Sequence, residues 1–183
     1  MRKLFWQMMV SLDGFMEGPS HELDWHVTDE NFNRYVDSML ASIDAILLGR
    51  VTYEMFADYW PTSKEPEAKA MNELPKIVFS RTLKKVEWKN SRLVKDNVAE
   101  EIARLKQQPG KDLAIFGSAD LASSFMRLGL IDEIRTFVNP IVLGAGNPMF
   151  KNIESRANMK LLRAETMSSG VAILYHDCSL EGR

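Results

Sequence analysis

The chain has 183 residues, 45% hydrophobic and 26% charged, with a formal net charge of −2; its Lys and Arg are scattered, which excludes the electrostatic footprint of a nucleic-acid or acidic-lipid binder. One cysteine, Cys178, excludes an internal disulfide and a cysteine-based zinc site and fits a reducing compartment, and no apolar run reaches transmembrane length. The apolar run after Met1-Arg2-Lys3 is broken by Gln7 and ends at Ser11 and Asp13, too soon for a secretory signal, so the expectation is one cytoplasmic globular domain over residues 1–183.

In chain order, Leu4–Ser11 reads as a strand, and Thr28 is placed to cap a helix whose Phe32, Tyr35, Val36, Met39, Leu40 and Ile43 share one face. Asp44–Leu48 is a buried strand, Val51–Asp58 a helix stopping before Trp60-Pro61, and Thr62–Glu73 a loop or short helix. Lys76–Ser80 is another strand and Ser91–Val94 a short one; Asp96 then caps a helix carrying Val98, Ile102 and Leu105, which Gln108-Pro109-Gly110 breaks. Leu113–Phe116 and Ile131–Asn139 flank a helix carrying Leu121, Phe125 and Leu128, and Asn158–Thr166 with Val171–Cys178 form a hairpin around Ser168-Ser169-Gly170. The alternation implies an α/β fold in which helices flank a mixed, mostly parallel sheet.

The chemistry concentrates at strand-to-helix junctions. Leu47-Leu48-Gly49-Arg50-Val51-Thr52-Tyr53-Glu54 joins a buried strand to a helix through glycine. A helix start presents unpaired N–H groups and partial positive charge, and glycine admits a phosphate close to them. Arg50 adds a planar fork of donors and Thr52 a hydroxyl in the first turn. Ile115-Phe116-Gly117-Ser118-Ala119-Asp120-Leu121 repeats the arrangement, and a pair of anion-ready helix starts suits a dinucleotide. Neither junction is a G-x-G-x-x-G fingerprint or a P-loop, and strand-glycine-helix is also a common plain connection. Ser80 and Arg81, at the carboxyl end of Lys76–Ser80, would suit the additional phosphate of NADP; the bland alternative is an ordinary polar turn.

Met8-Met9-Val10-Ser11-Leu12-Asp13-Gly14, Trp25 before a capped helix, Asp44–Thr52, Lys76–Arg81, Phe116–Leu121, Gly129-Leu130-Ile131-Asp132-Glu133-Ile134 and Pro140-Ile141-Val142-Leu143-Gly144-Ala145-Gly146 occur in that order. Together they resemble the dihydrofolate reductase superfamily, and more closely its branch holding the C-terminal reductase domain of the bifunctional riboflavin deaminase-reductase. The resemblance runs from Leu4 to Cys178. It implies a dihydrofolate-reductase-like sheet of about eight strands, NADPH as hydride donor, and a homodimer. Position by position it makes Gly49, Arg50 and Thr52 the phosphate-binding helix start and puts Ser80 and Arg81 beside the adenosine 2′-phosphate. Gly117, Ser118 and Ala119 become the pyrophosphate turn, Leu121 is a further cofactor-binding position, and Val10 and Trp25 lie by the nicotinamide.

The chain departs from its relatives at named places. Gly117-Ser118 replaces paired glycines, a change compatible with phosphate binding because serine adds a hydroxyl and an acceptable cap. Phe116 and Leu40 stand where the riboflavin-pathway reductases carry a glutamate and an arginine, so a phosphorylated ribityl-type substrate would miss its partners. Phe116 and Trp25 are the candidate substrate contacts. The candidate catalytic carboxylates are Asp13 and Asp29. Asp13 would orient a substrate amide, relay a proton through water or fix its loop by an Asx turn, and Asp29 would serve as the acid on the first helix or only favour that helix's N-terminus. His21, Glu22, Asp24 and His26 form a polar cluster without an i,i+4 histidine pair, and no metal is expected. Trp6, Trp25, Tyr53 and Trp60 either wall an aromatic pocket or pack the core. The expected function is an NADPH-dependent reductase of a small pteridine- or pyrimidine-like heterocycle. The alternatives are the riboflavin-pathway reductase of the ribosylamino-pyrimidine and an NADPH-binding module without turnover.

Overall fold

Leu4–Ser11 is apolar at almost every position because the strand it forms, β1, is covered on both faces near the middle of a sheet. The computed structural model describes residues 1–153 and 156–179. After β1 come β2 (Phe15–Glu17), α1 (Glu30–Ala41), β3 (Ile43–Gly49), α2 (Arg50–Tyr59), α3 (Ala68–Glu73), β4 (Lys76–Phe79) and β5 (Ser91–Val94). The chain continues through α4 (Val98–Gln107), β6 (Asp112–Phe116), α5 (Ala119–Arg127), β7 (Glu133–Asn139), β8 (Asn147–Pro148), β9 (Lys160–Thr166) and β10 (Ala172–Asp177). Eight strands form one sheet in the order β5-β4-β3-β6-β1-β7-β10-β9. From β5 to β7 every neighbouring pair is parallel, and β10 runs antiparallel to both β7 and β9. The expected mixed, mostly parallel sheet ending in a hairpin is present.

Side-chain alternation sorts the core into two layers. Leu4, Trp6, Met8 and Val10 of β1 pack with Ala45, Leu47, Leu113 and Ile115 against Ile102 and Leu105 of α4 and Ala119, Ala122 and Phe125 of α5. Phe5 packs with Ile46, Leu48, Ala114 and Phe116 on the other side, under Met39 and Leu40 of α1, Tyr53 of α2 and Met71 of α3. Phe137, Ile173 and Tyr175 extend that second layer towards the hairpin, where Phe32 and Tyr35 of α1 meet Phe137 edge to face at 5.8 and 4.9 Å. Each side chain so enclosed contributes about 1.5–3 kcal/mol.

Two helix starts differ from the sequence expectation by one residue. Asp29, not Thr28, is the N-cap of α1, with extended backbone and a carboxylate accepting the Phe32 N–H at 2.8 Å; a charged acceptor also complements the helix dipole. Asn97, not Asp96, precedes α4, because a left-handed residue (φ 54°), which asparagine tolerates, turns the chain there; the exposed Asp96 instead lies 3.8 Å from Arg81. The small β2–β8 pair was not anticipated, since strands this short carry no periodicity.

One feature of this topology positions the site. β3 and β6 are neighbours, yet α2 leaves β3 towards one layer and α5 leaves β6 towards the other. Their N-termini therefore flank a crevice at the carboxyl ends of the strands, a topological switch point.

Candidate functional site

At the crevice the glycine junctions meet. Gly49 is the N-cap of α2 and Ser118 that of α5, and neither helix start receives a side-chain cap. Ser118 Oγ reaches across instead: it accepts the Gly49 N–H at 2.8 Å and donates to Thr52 Oγ1 at 2.8 Å. The expected cap by Ser118 is therefore absent, because its left-handed backbone (φ 53°) aims the hydroxyl away from its own helix. A Cβ on Gly49 would stand 2.8 Å from Ser118 Oγ and displace that hydroxyl, whereas Gly117 holds a left-handed backbone (φ +57°) that favours glycine, with its Cβ position 3.2 Å from the Thr52 side chain, a tight contact. Trp6 fixes the junction from below by donating its indole N–H to the Gly117 carbonyl at 3.0 Å. Leu121 closes the same contact, with its Cβ 3.6 Å from a Cβ built on Gly49. Gly49, Thr52, Gly117, Ser118 and Leu121 are thus one constellation, with the buried Ala119 opening α5 behind it.

The remaining expected residues stand around it. Arg50 lies at the first position of α2 and pairs with Glu54 at 2.9 Å. Ser80 follows β4 and its Oγ accepts the N–H groups of Thr82 and Leu83 at 3.2 and 3.1 Å, a polar turn as the bland alternative has it, while Arg81 is 85% exposed. Val10 is buried against the α4–α5 layer, paired with Val138. Trp25 is half-buried, donates to the Glu22 carbonyl at 3.0 Å and meets His26 edge to face at 4.4 Å. Phe116 is buried in the α1–α2 layer together with Leu40.

Asp13 and Asp29 have their oxygens committed to the rim. Asp13 accepts from Ser11 Oγ at 2.6 Å and from the N–H groups of Leu143 and Gly144 at 3.1 and 2.8 Å. Asp13 thus ties its loop to one distant in sequence, where the sequence reading offered a local Asx turn. Asp29 accepts from Phe32 N–H and, on its other oxygen, from Ser168 Oγ and Ser169 N–H, both at 3.2 Å. The Ser11 hydroxyl holds Asp13, and the Phe32 N–H holds Asp29, below the ordinary carboxylate range. Both are ionised acceptors at neutral pH, which suits a rim brace better than a proton donor.

Other placements depart from the sequence reading. Trp6 lies in the α4–α5 layer and Tyr53 in the opposite one, its hydroxyl accepting the Glu87 and Trp88 N–H groups at 2.8 and 3.1 Å, so the aromatics do not wall one pocket. His21 Nδ1 meets Glu17 at 2.8 Å, and among the described residues no group of three or more His, Cys, Asp or Glu is arranged to hold a metal. Asn139 was missed as anything but a strand end. It is fully buried, donates to the carbonyls of Val10 and Phe137 and accepts the Val27 N–H at 2.9 Å, tying the Trp25-His26 segment to the ends of β1 and β7. Its place before Pro140 was the available signal. His26 Nε2, beside this anchor, is buried without a hydrogen-bond partner among the described residues, and burial pushes its pKa down.

Comparison with known proteins agrees with this architecture. The family described as RibD C-terminal domain matches residues 2–173. The chain is 38% identical over 181 residues to the uncharacterized protein YyaP of Bacillus subtilis (strain 168), covering 96% of this chain and 95% of that one. A putative riboflavin biosynthesis protein from Shewanella sp. PV-4 superposes with a TM-score of 0.79 at 24% identity, over 96% of this chain and 98% of the other. Dihydrofolate reductase from Enterococcus faecalis, solved with NADP(H) and RAB-propyl, superposes with a TM-score of 0.63 at 14% identity, over 96% and 95% of the two chains. No helix among the described residues is long and apolar enough to cross a membrane. A crevice between divergent helix starts, set in this strand order and matched by these relatives, makes the chain a member of the RibD C-terminal domain family with a dihydrofolate-reductase-like fold.

Proposed function

We propose that the chain is an NADPH-dependent reductase of a small pteridine- or pyrimidine-like heterocycle, acting as a single domain over 1–183 in a reducing cytoplasm. The observation that carries this reading is the convergence of α2 and α5 N-termini, neither with a side-chain cap, on the Ser118–Thr52 contact, with glycines where a side chain would crowd that contact. Free N–H groups and helix dipoles favour a pyrophosphate there. The Arg50–Glu54 pair is exposed, and such pairs contribute only about 0–1 kcal/mol, so a phosphate can take the guanidinium from Glu54. Ser80 and Arg81 follow the carboxyl end of β4, the strand next to β3, and suit the 2′-phosphate.

When bound, NADPH supplies the hydride. The protein's share is to orient it along the crevice, to keep water out with the apolar ends of β1 and β6, and to brace the rim through Asp13, Asp29 and Asn139. Val10 and Trp25 stand on the nicotinamide side of this reading, and Trp25 and Phe116 on the substrate side.

The riboflavin-pathway reductase remains the second reading, supported by the family and by the Shewanella relative. Against it stand the buried Leu40 and Phe116, which give a phosphorylated pyrimidine no charged partner. Purified protein is to be tested for NADPH and NADH oxidation with a panel of pteridines and pyrimidines. Turnover with NADPH preferred, and the preference shrinking about tenfold in Arg81→Ala, is the expected result. Tight NADPH binding without turnover across the panel would leave a nucleotide-binding module, and equal affinity for both nicotinamides would remove the 2′-phosphate assignment.

We also propose a homodimer. All seven residues of β9, an edge strand, are exposed, including Leu161 and Leu162. Antiparallel pairing of β9 with its copy about Ala164 sets Arg163 opposite Glu165 of the partner subunit and two small side chains at the axis.

A further inference from the structure

We infer that Ser118 is a positioning residue of the phosphate subsite: its hydroxyl links the starts of α2 and α5 and makes the Thr52 hydroxyl a committed donor into the crevice. The inference rests on the reading of that crevice as the pyrophosphate site. A backbone N–H only donates, so Ser118 Oγ must be the acceptor towards Gly49. Its own proton then goes to Thr52 Oγ1. Thr52, having accepted, has one proton left to give, and among the described residues none accepts it. At 7% exposure the Thr52 side chain has little water to turn to. The relay therefore runs one way, from backbone to crevice, and ends on a donor that a phosphate oxygen, charged and rich in lone pairs, is suited to receive.

The backbone supports the same conclusion. Ser118 holds a left-handed conformation (φ 53°) that glycine would adopt without strain. A serine kept there is paid for by its hydroxyl, which among the described residues bonds Gly49 and Thr52. A purely structural clamp between two helices predicts that removing the hydroxyl lowers stability. A positioning role predicts that binding falls while stability does not, because glycine relieves the backbone.

The test titrates NADPH into the purified parent, Ser118→Gly, Thr52→Val, Thr52→Ser and the Ser118→Gly/Thr52→Val double variant, with Tm recorded for each. In Ser118→Gly the Kd rises about tenfold, the order of one hydrogen bond to a charged group, at unchanged or higher Tm. Thr52→Val shows a similar rise, the double variant is no worse than the weaker single, since both break one relay, and Thr52→Ser stays within about threefold of the parent. Parent-like NADPH affinity in Ser118→Gly, or losses that add in the double variant, would overturn the inference while leaving the crevice reading intact. A parent that does not bind NADPH would overturn both.

Discussion

Replacing Asn139 by leucine keeps roughly the side chain's volume and removes all of its hydrogen bonds. The residue is fully buried, so each abandoned partner loses its bond without gaining water. The Val27 N–H, held at 2.9 Å, is the main casualty, at about 1–3 kcal/mol for a buried unsatisfied donor. The bonds to the Val10 and Phe137 carbonyls are long, both 3.3 Å, and together add about 1 kcal/mol. The sum is about 2–4 kcal/mol, and with a urea m-value of about 2 kcal/mol/M the unfolding midpoint falls by about 1–2 M. Urea unfolding followed by tryptophan fluorescence measures this directly. Asn139→Asp refines the argument: one carboxylate oxygen accepts from Val27, but the other faces two carbonyls and needs a proton, so its pKa rises on folding. That variant is closest to the parent at acid pH and loses stability as the pH rises through the folded pKa. A midpoint shift below about 0.3 M in Asn139→Leu, or an Asn139→Asp variant insensitive to pH, would refute the account of this anchor.

Further outcomes follow from the core and the edges. Phe116→Glu buries a carboxylate in the layer that also holds Leu40, so Phe116→Glu with Leu40→Arg loses cooperative unfolding before it gains any activity, and the unmodified chain does not restore riboflavin synthesis in cells lacking that reductase; robust rescue would promote the second reading. Lys76 is buried, donates to the Met71 and Asn72 carbonyls, lies 4.1 Å from the Trp88 ring centroid, and is pushed down to about 8 by burial and, secondarily, by Lys89. The unfolded chain thus binds more protons between pH 8 and 10.5, and parent stability rises with pH across that window relative to Lys76→Met; parallel pH profiles would contradict this. Ala164→Glu sets like charges against each other at the proposed two-fold axis, and gel filtration should show a monomer of unchanged Tm; an unaltered dimer would move the interface elsewhere.

The sheet and its order of elements were legible because buried parallel strands are short apolar runs that need no partner to be recognised. Gly49 and Gly117 were legible for a local reason, a glycine where a strand period gives way to a helix period. What could not be read were relations across the fold. Ser118 and Thr52 meet only because β6 inserts beside β3, and serine's preference for capping its own helix pointed the other way. Asp13 suggested a local turn, whereas its partners Leu143 and Gly144 come from a loop after β7. Arg50 read as a phosphate ligand from its position alone, although Glu54 one turn later was already in view as its resting partner.

The central placement of β1 also bears on how the molecule is made. Leu4 pairs with Leu113 of β6 and Phe5 with Glu133 of β7, so β1 is synthesised well before either of its sheet neighbours and waits until β6 and β7 have been made. At roughly 5–20 residues per second that interval is on the order of ten seconds. Throughout it an almost wholly apolar segment is open on both edges and both faces, the condition under which chains associate with one another. Nascent-chain quality therefore depends on what shields Leu4–Ser11 during synthesis, and a yield that falls when translation pauses before Asp112 is the signature of a fold whose middle is closed last.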